Sequence, residues 1–231
     1  MRMLRWGFLI MIFAATTLSA GQRAKLLKVE KEGVYSATTR YPWFEGQTAV
    51  VRLANKDLSS WAKRRQDKFV KQSSKTQNQS GKPTANYEYT VDYEVTFADS
   101  QRLLSIRFDT FQYTGGAHGT PEFVTYSFGM VKGKARRLKL GDFFNAGSAY
   151  TDTVTAAILG KLKRNPQAIL VVNGEVTSLT QDQLNRFSVE ADGLTFLFNP
   201  YEVGPYTSGR FQIKLGIDEL GADFTKKLLA P

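Results

Sequence analysis

The sequence predicts an α+β fold with mostly antiparallel sheet, and three observations carry that prediction. From Tyr87 to Phe97, apolar residues (Tyr87, Tyr89, Val91, Tyr93, Val95, Phe97) alternate without a break with Glu88, Thr90, Asp92, Glu94 and Thr96. A period of two over that length gives one buried and one wet face, as in an antiparallel sheet. Strand and helix patterns segregate along the 231 residues instead of alternating, which argues against a doubly wound parallel sheet. Asn173-Gly174 and Asp192-Gly193 each stand between apolar runs, the turn chemistry of type I′ hairpins.

The elements follow in order. Arg2 and Arg5 precede an apolar run from Trp6 to Ala15, and small, semi-polar residues lead to Ala20. A basic head, a short apolar stretch and a small-residue end make the order of a secretory signal peptide, so residues 1–20 are expected to be cleaved off, after Ala20 or, alternatively, after Gly21. The competing reading is an uncleaved anchor. Only 17 uncharged residues run from Trp6 to Gln22, the last several polar, where a bilayer core asks for about 20 apolar ones.

Residues 25–41 read as a strand pair or one long strand, with Val34, Ser36 and Thr38 alternating against Tyr35, Ala37 and Thr39. Residues 47–75 read as a helix. Val50, Ala54, Leu58, Trp61, Ala62 and Phe69 recur at three- and four-residue steps, and Lys63, Arg64, Lys68 and Lys71 take the other face. The polar run 73–86, with Gly81 and Pro83, reads as a flexible surface loop. After the strand 87–97, Asp99-Ser100 turns the chain into a return strand at 103–113. Gly115, Gly116 and Gly119 lead into a strand at 123–130, closed by a turn at Lys132-Gly133-Lys134. Residues 148–163 form a second helix, stopped by Asn165-Pro166. Residues 168–172 and 175–179 are expected to form one hairpin about Asn173-Gly174, and the runs beside Asp192-Gly193 a second, with a short helical turn at 180–185 between them. A last strand at 210–215 and a terminal helix at 218–229, capped by Asp218, complete the chain.

Composition narrows the function. Thirty-one Lys+Arg against 21 Asp+Glu give a net charge of +10; residues 1–20 hold two arginines and no acid, so their removal leaves +8. Outside the cytoplasm such a charge favours anionic envelope polymers, lipid head groups or acidic proteins, and no nucleic-acid partner is expected. The absence of Cys excludes a zinc ribbon, an iron–sulfur site, a thiol nucleophile and a lipid-modified N-terminal Cys. With one His, no site can use two imidazoles. The 42% hydrophobic content is too high for a disordered chain.

Three strings and their order carry a resemblance: Tyr113-Thr114-Gly115-Gly116-Ala117-His118-Gly119, then Leu138-Lys139-Leu140-Gly141-Asp142-Phe143-Phe144, then residues 191–209, which include Asn199-Pro200-Tyr201-Glu202-Val203-Gly204-Pro205-Tyr206. The second half resembles domain of unknown function 3298, and the first half its usual N-terminal partner, domain of unknown function 4163. The pair forms the extracytoplasmic module of RsiV-type anti-sigma factors, which sense lysozyme by binding it, and stands beside the catalytic domain of a peptidoglycan deacetylase. The resemblance implies two α+β lobes, 25–118 and 119–231, the second like a small subdomain of the Hsp70 ATPase fold without implying ATP binding. Five residues precede the apolar run, too few for the cytoplasmic part of an anti-sigma factor, and the deacetylase's metal-binding Asp and His motif is not found. The chain is therefore expected to be the bare module.

Two segments are candidates for a site. Glycines at 115, 116 and 119 can reach the positive φ of a tight strand exit. That segment is either a structural turn whose His bonds the backbone or a ligand-facing loop in which His118 is a polar contact or general base. In residues 199–209, Pro200 and Pro205 stiffen an inter-strand link. Tyr201 and Tyr206 there can stack a sugar ring or a partner side chain, or serve as corner residues bonded to backbone. The candidate ligand-binding residues are Gly115, Gly116, His118, Tyr201, Glu202 and Tyr206; if they form one site, the two segments must meet in space. Trp61 lies on the apolar helix stripe and reads as core, while Trp43, after Pro42, is a surface candidate. No Gly-x-Ser-x-Gly string supports a serine triad, and no cofactor or metal is expected. The sequence favours an exported, non-catalytic module of the bacterial cell envelope, periplasmic or extracellular, that recognises a glycan such as peptidoglycan or a lysozyme-like protein. It would meet a membrane only through an uncleaved N-terminal segment. The alternative is a peptidoglycan hydrolase or deacetylase-like enzyme using His118 and carboxylates.

Overall fold

A computed structural model describes residues 21–80 and 86–229. The expected signal segment lies outside the described residues, as do residues 81–85 of the polar run. Among the described residues nine strands form two sheets. The larger has six in the order β1 (Gln22–Lys31), β2 (Tyr35–Phe44), β3 (Tyr87–Asp99), β4 (Leu103–Tyr113), β5 (Thr120–Val131) and β6 (Lys134–Arg137). The smaller has three: β7 (Phe187–Glu190), β8 (Gly193–Phe198) and β9 (Phe211–Gly216). All pairings are antiparallel except β2 with β3. That exception has a cause: α1 (Ala49–Ser80) connects those two strands, and a parallel pair needs such a crossover. The expected mixed α+β class with mostly antiparallel sheet is what the chain adopts. Among the described residues no helix is long and apolar enough to cross a membrane.

The six-stranded sheet has a layer on each face, and β4 shows how. Leu104, Ile106 and Phe108 point toward α1, where the Trp61 and Phe108 rings lie 4.4 Å apart. Leu103 belongs to the other core, with Phe187, Phe196 and α2 (Tyr150–Leu162). Ser105, also on that face, accepts a hydrogen bond from Val189 N at 2.9 Å and so ties the two sheets together. Residues 120–137 contribute β5 and β6 to the first sheet, so the connection at His118 runs between two neighbouring strands of one sheet. β6 pairs only with residues 128–131 of β5. Upstream, other groups take the β5 rim: Asn199 Oδ1 accepts from Phe123 N (2.7 Å), Arg137 donates to Thr125 O (3.1 Å), and Leu138 N donates to Ser127 O (2.7 Å).

Several elements correct the sequence reading. Helix α1 continues through residues 76–80, which the polar composition marks as loop; Ser73 is buried, and the first helix breakers are Gly81 and Pro83. Asn173-Gly174 does not turn a hairpin. It ends a short helix, α3 (Ile169–Val172): Gly174 sits at φ 78°, its N–H reaches Val171 O, and Glu175 N reaches Leu170 O, a Schellman cap. The 180–185 turn is present as α4 (Gln181–Leu184), with Thr180 Oγ1 accepting from Gln183 N. The β7–β8 hairpin also forms, but Glu190 pairs with Gly193, so Ala191-Asp192 make the turn. Gly193 has no positive φ; a Cβ there would run into Leu215 O on β9. No continuous helix spans 218–229. Two 3-10 turns, Ile217–Leu220 and Lys226–Leu228, are separated by Gly221 at φ 88°. Between them Phe224 N closes a turn onto Gly221 O, and Thr225 N and Asn145 N bond across to Phe143 O and Asp223 O. Asp218 is not its cap; the Glu219 carboxylate accepts from Gly216 N instead.

Candidate functional site

The two segments marked in the sequence meet. Leaving β4, the chain reverses through Gly115 and Gly116, at φ 92° and 98°, where a side chain would be strained. Tyr113 donates its hydroxyl to Gly116 O at 3.1 Å and pins the turn. Gly119 is needed for another reason: a Cβ there would strike the Phe111 ring. Its buried carbonyl receives the Tyr206 hydroxyl at 2.8 Å, from the other half of the chain. The rings of His118 and Tyr206 then stack, 3.8 Å between centroids and 20° from parallel. Tyr201 lies beside them, 5.9 Å from Tyr206. His118 and Tyr201 are exposed and Tyr206 half-buried, so the three rings form a surface ridge.

The second segment is built around Glu202. Arg186 Nη1 donates to both oxygens of its carboxylate (2.8 and 2.6 Å), and Asn199 N donates to one of them at 2.7 Å. These hydrogen bonds to the carboxylate are thus made inside the protein, by Arg186 and the loop backbone. What they fix is the backbone of Tyr201, which sits at φ 70° with its N–H bonded to Gly204 O at 3.0 Å. A non-glycine residue in that region costs about 1 kcal/mol or more and persists only where its surroundings enforce it. Gly204 has room for no side chain, since a Cβ would lie 2.6 Å from Gln167 O.

Beneath the ridge runs a charged seam between the sheets that the sequence did not reveal. Arg210 Nη1 meets Asp109 at 2.9 Å and its guanidinium lies 4.0 Å over the Phe123 ring. Arg107 bridges Asp109 (3.3 Å) and Glu94 (2.8 Å) and donates to Gln212 at 3.0 Å. Burial pulls the Arg210 pKa below its usual value, and Asp109 opposes that shift. Arg186 also escaped the sequence reading, and Asn199, though inside the marked segment, was given no role there. Their signal is spatial: single polar residues become informative only when β5, β7 and β8 are brought together.

The chemistry open to His118 follows from its contacts. Its Nδ1 lies 3.2 Å from Gly119 O. A carbonyl can only accept, so in this contact Nδ1 is the donor. Its orienting partner is a backbone carbonyl, where a triad would place a carboxylate. Among the described residues, no three His, Asp or Glu side chains stand close enough to hold a metal ion.

Comparison with known proteins fits the two halves separately. Residues 28–120, which end just past the His118 loop, match the family model described as Deacetylase PdaC. Residues 141–218, which contain Tyr201 to Tyr206, match that described as Protein of unknown function (DUF3298). The chain is 24% identical over 174 residues to the peptidoglycan-N-acetylmuramic acid deacetylase PdaC of Bacillus subtilis (strain 168). That alignment covers 73% of this chain but 34% of the deacetylase, so the chain spans about a third of its relative's length. Two crystal structures share the fold. A DUF3298 family protein of Pseudomonas aeruginosa PAO1 superposes with a TM-score of 0.56 at 15% identity, covering 90% of this chain and 96% of the other. A DUF3298 family member of Bacteroides fragilis NCTC 9343 gives 0.51 at 16%, covering 88% and 94%. The chain is therefore similar to a DUF3298/PdaC-like module, with its aromatic ridge formed where the two matched halves touch.

Proposed function

We propose that this chain is an exported, non-catalytic binding module of the bacterial cell envelope, and that the ridge of His118, Tyr206 and Tyr201 binds peptidoglycan. The observation that carries the reading is how Tyr201 is presented. It is 62% exposed, stands on a strained backbone, and is held there by the Arg186–Glu202 clamp. Strain kept at an exposed aromatic residue points to function. Rigid aromatic rings offer large contact area at little entropic cost and pair with the apolar faces of sugars. The activity named for the Bacillus relative is directed at peptidoglycan, which supports the same target. Sedimentation of the full chain with insoluble peptidoglycan at physiological salt tests this. Retention is expected, weakened about tenfold in the Tyr201→Ala/Tyr206→Ala variant. No retention of the wild type removes the glycan reading, and capture by lysozyme instead would assign the ridge to a protein partner.

A second reading, a deacetylase or hydrolase using His118, is favoured by the activity in that relative's name. Acetate released from peptidoglycan by the wild type and lost in His118→Ala would establish it. Equal release by both, or none by either, ends it.

A further inference from the structure

The other aromatic residue singled out in the sequence, Trp43, lies at the opposite end of the sheet. Thr48 donates its hydroxyl to Ser100 O at 2.5 Å, which fixes the start of α1 beside the β3–β4 turn. The ridge lies at the far end of β4, eleven residues away, roughly 35 Å for an extended strand. Between the end of β2 and the first turns of α1 is an open recess of about 510 Å³. Trp43 forms one wall, and Arg52, Lys56, Gln47 and Glu45 line it. Asn55 closes the floor: its side-chain amide pairs with both the N–H and the carbonyl of Phe44, at 2.9 and 2.8 Å, as a neighbouring strand would. The floor is therefore rigid and polar-satisfied, and β2 offers no free backbone there.

The charges of the recess are not spent on one another. Arg52 donates to Gln47 O, and neither it nor Lys56 has a carboxylate partner among the described residues. Lys25 Nζ stands 3.6 Å over one face of the Trp43 ring, which leaves the other face for a ligand. The single acid, Glu45, is outnumbered. An aromatic wall beside unpaired cations is complementary to a ligand with an apolar ring face and an anionic substituent. We propose that this recess is a second binding site, and that its ligand class is a sugar ring carrying a carboxylate. Trp43 stacks on the ring, and Arg52 and Lys56 receive the carboxylate.

The test reads the Trp43 signal in the full chain as the fluorescence difference between wild type and Trp43→Phe. The probes are glucuronic acid, glucose and acetate at low ionic strength. Glucuronic acid is expected to give a saturable change, with an affinity at least tenfold above those of glucose and acetate. Arg52→Gln/Lys56→Gln should lower that affinity about tenfold, and salt should weaken it. Both side chains are exposed, and Lys56→Gln alone serves if the double variant is unstable. His118→Ala and Tyr206→Ala should leave the response unchanged, which separates this site from the ridge. No saturable response to glucuronic acid overturns the proposal. So does a response equal to that of glucose or acetate, or one unaltered by Lys56→Gln.

Discussion

The imidazole of His118 and the phenol of Tyr206 lie face to face, 3.8 Å between centroids, while the same Tyr206 donates its hydroxyl to the carbonyl of the residue after that histidine. One side chain thus joins the two halves by a ring contact and a hydrogen bond at once. An aromatic pair contributes about 0.5–1.5 kcal/mol beyond its buried area. A double-mutant cycle of His118→Ala and Tyr206→Phe, read by urea unfolding, should therefore show almost no coupling, because Phe keeps the ring. The cycle with Tyr206→Ala should show about 1 kcal/mol.

Glu202→Gln should release the loop that presents Tyr201. The variant leaves Arg186 half-buried with a neutral partner, and a loss of about 1–3 kcal/mol is expected from removing such a charged hydrogen bond. Proteolysis should then cut near residues 199–209 faster than in the wild type, and peptidoglycan retention should fall although no stacking residue was changed. Unaltered protease resistance would mean that the clamp is dispensable.

Two glycines are predicted to tolerate no methyl group. Gly193→Ala places Cβ against the Leu215 carbonyl, a backbone group that cannot swing away, so about 3 kcal/mol is expected by analogy with over-packed cores. Gly119→Ala meets the edge of the Phe111 ring, which can shift, and should cost less. Gly160, with nothing within 4 Å of its Cβ position in α2, is the control: Gly160→Ala should stabilise by about 0.5–1 kcal/mol. Thermal melts of the three variants check the order.

Alkaline pH should act through Tyr89. Its hydroxyl is buried without a hydrogen-bond partner among the described residues, and burial pushes its pKa up to about 12. In the unfolded chain a phenol titrates near 10. The folded state therefore holds this proton more tightly, and the contribution to stability is whole below about pH 10 and lost as pH rises toward 12. Urea unfolding at pH 8 and pH 11 should show that loss. Tyr89→Phe should reduce that loss, with burial-raised Tyr41, Tyr93 and Tyr126 left to carry the rest, and, by removing an unpaired buried hydroxyl, raise stability at pH 8 by about 1 kcal/mol.

The legible parts of this fold were those with a long period. The alternation of β3 was readable because residues 87–92 have one buried and one wetter face, although the register shift at Val95/Phe97 turns Phe97 into the other core. The convergence of the Gly115–Gly119 and Asn199–Gly209 segments was testable but not deducible, since nothing in a linear chain says that Tyr206 bonds Gly119. Asn173-Gly174 misled because one dipeptide serves two geometries: a positive-φ glycine turns a hairpin or ends a helix, and only the Leu170 and Val171 carbonyls decide. The hydrogen bonds of Glu202 were hidden for a similar reason. Its role depends on Arg186, which β7 brings to it from outside the marked segment.

The occupied rim of β5 has a consequence for the molecule in a crowded solution. With Asn199, Arg137 and Leu138 bonded to Phe123 N, Thr125 O and Ser127 O, that stretch of the margin leaves an incoming polypeptide fewer backbone groups to template on. The margin on the other side, β1, is ten residues long, with Leu26 59% exposed at its middle. Fibrous or amorphous precipitate should therefore nucleate there, and a proline at Leu26 should raise the concentration at which a purified sample clouds.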